Sequence, residues 1–306
     1  MSYVTAEKWI GVCLLGMVGI NNTCHALTFP MPQNGNIVGS LQTTTARPGD
    51  TLGIVGLRYN IGGYEMKEAN PGVPFGAPKV GSTLVIPSRF ILPPGARKDI
   101  VINLAEMRLY YYHADGAHVS TFPVGVGQQG WTTPLGNTSI LTKRKDPTWN
   151  VPESIWFNHL VKGQPIEKSV PPGPSNPLGR YAMNLGFTNI VIHGTPYPLA
   201  VGVRSSHGCI RMRNEDVEQL FSHVKIGTKV SIIHEPIKVG QDAGQLYMES
   251  HVPLGETMYP KSQNIRDLVM RTPHDRYRSF SIDWNTVDKV RAKSTGYPER
   301  FGTLGL

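Results

Sequence analysis

Turn-forming residues punctuate this sequence so densely that long helices have little room: of 306 residues, 33 are glycine and 25 are proline. Such spacing favours short strands joined by turns. No apolar run reaches the roughly 18 residues that a membrane-spanning helix needs. The length allows one large domain or two modest ones with cores of their own. The hydrophobic content, 40%, is that of an ordinary globular chain.

The first 26 residues read as an export signal. Lys8 and the free amine make a weakly positive start, Trp9 to Ile20 is apolar, and Cys24-His25-Ala26 puts small residues where a signal peptidase cuts. Cleavage after Ala26 removes Cys13 and Cys24 and leaves Cys209 as the one thiol. A lone thiol in an oxidising compartment is either buried and inert or kept for chemistry. The net charge of +8 survives cleavage, because Glu7 and Lys8 cancel. A basic exported protein suits an anionic polymer or membrane surface. The basic residues are scattered and not interleaved with aromatics, which argues against nucleic acid.

Along the chain, residues 27–42 read as an extended lead-in. A compact α+β unit spans 43–88: a strand at Thr43–Thr45, a helix from Thr51 to Asn60 with Leu52, Val55 and Tyr59 at helical spacing, a second short helix from Tyr64 to Asn70, and a strand from Ser82 to Ile86. Residues 89–98 form a proline-bearing linker. From 99 to 235 the pattern is β-rich. Asp99 to Leu104 alternates as a strand, Arg108 to Tyr112 pairs back on it, Val119 to Val126 follows, and Glu215 to Phe221 has helical period. Trp149 to Pro174 lacks clear periodicity and reads as a lid or substrate-facing loop. Residues 236–306 form a mixed, polar C-terminal accessory region with a helix from Asp283 to Lys293. The expected class is mainly β: a β-sandwich-like catalytic domain, a small α+β domain before it and a C-terminal extension after it.

Chemistry concentrates in two segments, Ile190-Val191-Ile192-His193-Gly194-Thr195 and Ser205-Ser206-His207-Gly208-Cys209-Ile210-Arg211-Met212. The β-branched run ends a buried strand at His193, and Pro196 to Arg204 loops the second segment back beside the first. If Ser206 to Met212 is extended, His207, Cys209 and Arg211 share one face. An ordinary thiol is mostly protonated at neutral pH, so it needs an imidazole to take its proton and positive charge to favour the thiolate. The amide of Gly208 or Cys209 can hold a developing oxyanion. No acid stands out to orient the imidazole, so a carbonyl or hydroxyl near Gly194 takes that role. Arg211 can fork onto a substrate carboxylate. Zinc is the rival reading, with His193, His207 and Cys209 as ligands, but His-x-Cys is an uncommon spacing and no fourth ligand is evident.

His193-Gly194-Thr195 followed by Ser206-His207-Gly208-Cys209-Ile210-Arg211 resembles the signature of the L,D-transpeptidase catalytic domain. The stretches Glu106 to Tyr112, Thr133 to Gly136 and Pro172 to Tyr181 are similar to further parts of that domain. Arg47 to Leu52, Glu68 to Gly72 and Leu84 to Pro87 resemble a lysin-motif (LysM) domain, a family that binds N-acetylglucosamine-containing glycans.

The resemblance implies Cys209 as nucleophile and His193 as proton donor and acceptor. It implies His207 in a positioning role, the Gly208 backbone at the oxyanion, and Arg211, Gly194, Thr195 and Ser206 at the substrate. It implies no metal and no cofactor. The implied reaction takes peptidoglycan tetrapeptide stems: Cys209 attacks the carbonyl of meso-diaminopimelate, D-alanine leaves, and an amine takes the acyl group. That amine belongs to an outer-membrane lipoprotein's C-terminal lysine or to a second diaminopimelate. The implied place is the periplasm of a Gram-negative bacterium, with glycan strands as partners of the lysin-motif unit. Two other classes compete. A papain-like cell-wall endopeptidase would place its cysteine before its histidine, unlike here. A non-enzymatic peptidoglycan anchor would leave Cys209 passive.

Overall fold

The computed structural model describes residues 26–255, 264–272 and 279–305. The export signal, with Cys13 and Cys24, falls almost wholly outside the described residues. Among the described residues no helix is long and apolar enough to cross a membrane.

A nine-stranded mixed sheet organises the chain. Its order is Leu27–Pro30, His118–Pro123, Arg108–Tyr112, Asp99–Asn103, Lys229–Ile233, Gly136–Lys145, Tyr181–Leu185, Val191–His193 and Ile210–Arg211. Side chains along a strand alternate between faces. Here both faces are covered. Ile100, Ile102, Leu109, Tyr111 and Phe122 enter one core, which the helix Asn214–His223 closes with Val217 and Leu220. Val101, Tyr110, Tyr112 and Val119 enter a second core on the opposite face. The strand Arg108–Tyr112 is therefore buried along its whole length.

The second core is completed by the α+β unit. Gln42–Thr45 pairs antiparallel with Thr83–Ile86, and the helices Leu52–Tyr59 and Gly63–Ala69 lie between them. Thr51 caps the first helix by accepting from the Ile54 amide at 3.0 Å. Asn70 ends the second by donating to the Met66 and Val85 carbonyls, both at 2.9 Å, and accepting from the Val85 amide. Leu52, Val55, Met66, Leu84 and Ile86 face the sheet. Within that core, buried Arg108 grips Glu65 through Nε at 2.7 Å and Nη2 at 2.9 Å. A further link runs from Arg213 to the Asn60 side chain at 2.7 Å and the Ile61 carbonyl at 3.0 Å.

Three segments differ from the sequence reading. The lead-in is not a free extension. Leu27–Pro30 takes the sheet edge, and Ile37–Gly39 pairs with Arg89–Ile91 from the supposed linker. The C-terminal region forms a four-stranded antiparallel sheet with the helices Ile265–Arg271 and Trp284–Lys293 and a core of its own. Its strands Ile237–Asp242 and Gln245–Ser250 pair in an unbroken register, and buried polar residues such as Lys238, Gln241 and Glu249 interrupt the apolar pattern that would have announced them. Finally, Ser206 to Met212 is not one strand. Arg204–Ser206 and Ile210–Arg211 pair with different partners, and the chain bends between them at Gly208, whose φ is +98°. The expected alternation of His207, Cys209 and Arg211 is interrupted there.

Candidate active site

Val191–His193 runs parallel to Ile210–Arg211, with Ile192 opposite Ile210 and His193 opposite Arg211. The two isoleucines are fully buried in the sheet core. Their neighbours His193 and Arg211 therefore face the other way. Cys209, two residues before Arg211, lies diagonal to His193, a Cα separation of about 8 Å by strand spacing and rise.

His193 is buried, and its Nδ1 donates to the Gly194 carbonyl at 2.6 Å. This assigns the proton to Nδ1 and leaves Nε2 as the basic nitrogen. Burial first, and then the Arg211 charge, push the imidazole pKa down to about 4, against the pull of the Gly194 and Pro177 carbonyls. The ring is thus neutral and able to accept a proton at neutral pH. A Cβ at Gly194 would collide with the Asn214 side-chain oxygen, as would one at Gly179, so a side chain at either position would force Asn214 to move. Asn214 in turn donates to the Thr195 carbonyl at 3.1 Å.

The Cys209 thiol donates to the Asn189 carbonyl at 3.4 Å, and no hydrogen bond joins it to His193. Burial raises its pKa, while the Val191 amide and the Arg211 charge pull it back toward the thiolate. The resting pair is a neutral thiol and a neutral imidazole, both under the influence of the Arg211 cation.

Cys209 and His207 line a cavity of about 420 Å³, and His193 is not among its lining residues. The His207 ring stands edge-on to Trp131 at 4.6 Å. Much of the remaining wall comes from the region read as a lid. The strands Trp149–Asn150 and Ser169–Val170 pair, the helix Glu153–Val161 lies between them, and Trp149, Asn150, Pro152, Ser154 and Ile155 face the cavity. Asn176 fixes the base of this excursion by donating to the carbonyls of Pro147, Val170 and Pro171.

Several of the expected residues are engaged in contacts of their own. The Gly208 amide does not face an oxyanion: it donates to the Ser206 hydroxyl at 3.1 Å, and that hydroxyl donates to the Cys209 carbonyl at 2.6 Å. Buried Ser206 therefore closes the turn and does not line the cavity. Gly194 and Thr195 position His193 and the adjoining loop and likewise do not line it. Arg211 does not reach into the cavity either. Its Nη1 is taken by the Ser205 carbonyl at 3.0 Å and hydroxyl at 3.2 Å, and its charge acts on Cys209 and His193.

Sequence reasoning missed Thr133, Trp131, Asn184 and Arg144. The Thr133 hydroxyl accepts from the Gly127 amide and donates to the Gly208 carbonyl, stitching the nucleophile turn to the neighbouring loop. Trp131, Asn184 and Arg144 line the cavity. Only the Thr133 stretch carried a signal, as one of the segments resembling the family.

A thiol, a basic imidazole oriented by a carbonyl, a fixed guanidinium and an open cavity are the components of acyl transfer through a thioester. Residues 97–232 match the YkuD L,D-transpeptidase catalytic domain. The chain is 40% identical to a protein of Escherichia coli K12 named as the probable L,D-transpeptidase YbiS, over 96% of this chain and 98% of that one. It is 36% identical to the probable L,D-transpeptidase ErfK/SrfK of the same strain, over 94% of each. It is 40% identical to the probable L,D-transpeptidase YcfS of that strain, over 76% of this chain and 74% of that one. The chain belongs to the L,D-transpeptidase family.

Proposed function

We propose that this chain is a peptidoglycan L,D-transpeptidase in which Cys209 attacks the carbonyl of the third residue, meso-diaminopimelate, of a tetrapeptide donor stem. The observation that carries this reading is a buried, neutral, carbonyl-oriented imidazole on the strand that pairs with the one directly following the thiol, which itself stands at the cavity wall. Rotation of the thiol away from Asn189 brings it toward Nε2, which takes the proton as sulfur attacks. Arg211 favours the thiolate as it forms. With the Gly208 amide committed to Ser206, the Cys209 amide is the backbone donor for the oxyanion. His193 then returns its proton to the departing D-alanine amine, leaving a thioester.

An amine completes the transfer: the C-terminal lysine of an outer-membrane lipoprotein or the side-chain amine of a second diaminopimelate. The reaction conserves acyl-bond energy through the thioester and so requires no nucleotide. The reading places the protein in the periplasm, exported by residues 1–26. Domain limits of 43–88 for a glycan-binding lysin-motif unit, 99–235 for catalysis and 236–306 for an accessory region fit it. The deciding experiment is incubation with tetrapeptide muropeptides and a lipoprotein tail peptide, read by mass spectrometry. Wild type should release alanine and form an acyl adduct on Cys209, and Cys209→Ala should do neither. Turnover by Cys209→Ala would overturn the mechanism.

A further inference from the structure

The cavity that holds Cys209 has an electrostatic bias. None of its lining residues is acidic, and Arg144 is the one that carries a fixed charge. The cation sits on the same sheet face as the site. Arg144 is opposite Ala182, Ala182 is opposite His193, and His193 is opposite Arg211, one row across four strands. Three strand spacings put its Cα about 14 Å from the strand next to Cys209. Its side chain turns back toward the cavity, where Nη2 donates to the Asn184 side-chain oxygen at 3.0 Å. That oxygen also accepts from the Thr142 hydroxyl at 3.2 Å, which fixes the amide and with it the guanidinium. Among the described residues no carboxylate pairs with Arg144, although Arg180 nearby approaches Asp146 at 3.9 Å. A held guanidinium with unused donors at the rim of a cavity free of acids suits a carboxylate ligand.

We propose that Arg144 binds a carboxylate of the donor stem remote from the scissile carbonyl, and that this contact selects free-acid stems over amidated ones. The inference rests on the reading of the reaction given above. On its acyl side a tetrapeptide stem offers two such groups: the side-chain carboxylate of diaminopimelate and the α-carboxylate of the γ-linked D-glutamate. Both present the same chemistry to the guanidinium. The third carboxylate, that of D-alanine, adjoins the scissile bond and departs with the leaving amine. Arg211, the residue that the sequence suggested for this task, has its Nη1 engaged by Ser205 and is not among the residues that line the cavity.

Equilibrium binding, with the nucleophile removed, separates this proposal from the catalytic one. Cys209→Ala and Cys209→Ala/Arg144→Ala proteins are titrated by NMR with three purified tetrapeptide donors: the free acid, the form amidated at D-glutamate and the form amidated at diaminopimelate. Loss of Arg144 should weaken free-acid binding about tenfold or more. It should change binding less than twofold for the donor amidated at the contacted carboxylate, and so identify which of the two it is. Arg144→Lys should recover part of the loss. Equal effects of Arg144→Ala on all three donors, no effect on any, or no measurable binding of the free acid would each overturn the proposal. Failure of the catalytic reading would show separately, as wild-type protein that releases no alanine.

Discussion

His193 and His251 are both buried and carry opposite charge tendencies. His193 faces carbonyls and the Arg211 cation, and its pKa falls to about 4. His251 lies between two carboxylates, Glu68 on Nδ1 and Glu249 on Nε2, each at 2.9 Å. Burial alone would push it down as well, but Glu68 and Glu249 hold it up at about 10. Glu249 in turn also bonds Lys238 at 2.7 Å, and Lys238 bonds Glu106 at 2.8 Å. Against the cost of burial, Lys238 and His251 hold Glu249 down to about 2. The ammonium of Lys238 and the imidazolium of His251 are the cations among these buried acids. Depth therefore does not set the charge of a buried histidine; its immediate partners do. One arrangement leaves a base free to work. The other ties the α+β unit, the central sheet and the C-terminal sheet together through Glu68, Glu106 and Glu249.

The first way to break this contrast is to remove each ring. His193→Gln should lower the rate of Cys209 acylation by about 10²–10⁴-fold, the contribution of a general base. It should leave the urea midpoint near that of wild type. Retained acylation would show that another group takes the thiol proton.

The converse variant, His251→Leu, should cost about 3–5 kcal/mol of stability, because it strands Glu68 and Glu249 beside one cation. Turnover per folded molecule should stay unchanged. The pH dependence separates the two rings by sign. His193 has its folded pKa depressed below the ordinary 6.5, so its contribution is complete above 6.5 and is lost as pH falls toward about 4. His251 has its folded pKa raised, so its contribution is complete below 6.5 and is lost as pH rises through about 10. Denaturant midpoints across pH 4–10 should show His193→Gln flattening the acid limb and His251→Leu flattening the alkaline limb. Each slope approaches about 1.4 kcal/mol per pH unit. Interchanged effects would refute the assignment.

The contrast also explains what the sequence disclosed. The site's chemistry lies within two short segments, and β-branched Ile190 to Ile192 ending on His193 was readable as a buried strand delivering a side chain. The α+β unit was readable because its helix spacing and turn residues are local. The rest depends on pairings that no local pattern encodes. Glu68 and His251 are 183 residues apart. Arg144 lies in an exposed run of basic residues that resembles a solvated strand face, and only the pairing Arg144–Ala182–His193 brings it to the site. The bend at Gly208 was missed because a strand pattern and a turn with one positive-φ glycine look alike over seven residues. Tyr110-Tyr111-Tyr112 announced a strand, but alternation could not show that both of its faces are covered.

The smallest expected effect is the control that sharpens the contrast. His118 pairs with Asp115 through Nδ1 at 2.9 Å, the same chemical pair as His251 with Glu68, but both side chains are about half exposed, 48% and 50%. Water solvates each partner there, and the turn is held independently because Asp115 also accepts from the backbone amides of Ala117 and His118. His118→Ala should leave the urea midpoint indistinguishable from wild type, and any residual shift should vanish in high salt. A loss as large as that of His251→Leu would mean that the pair itself stabilises, wherever it stands. The null result, beside a large effect at His251, would place the difference in the stranding of buried charge.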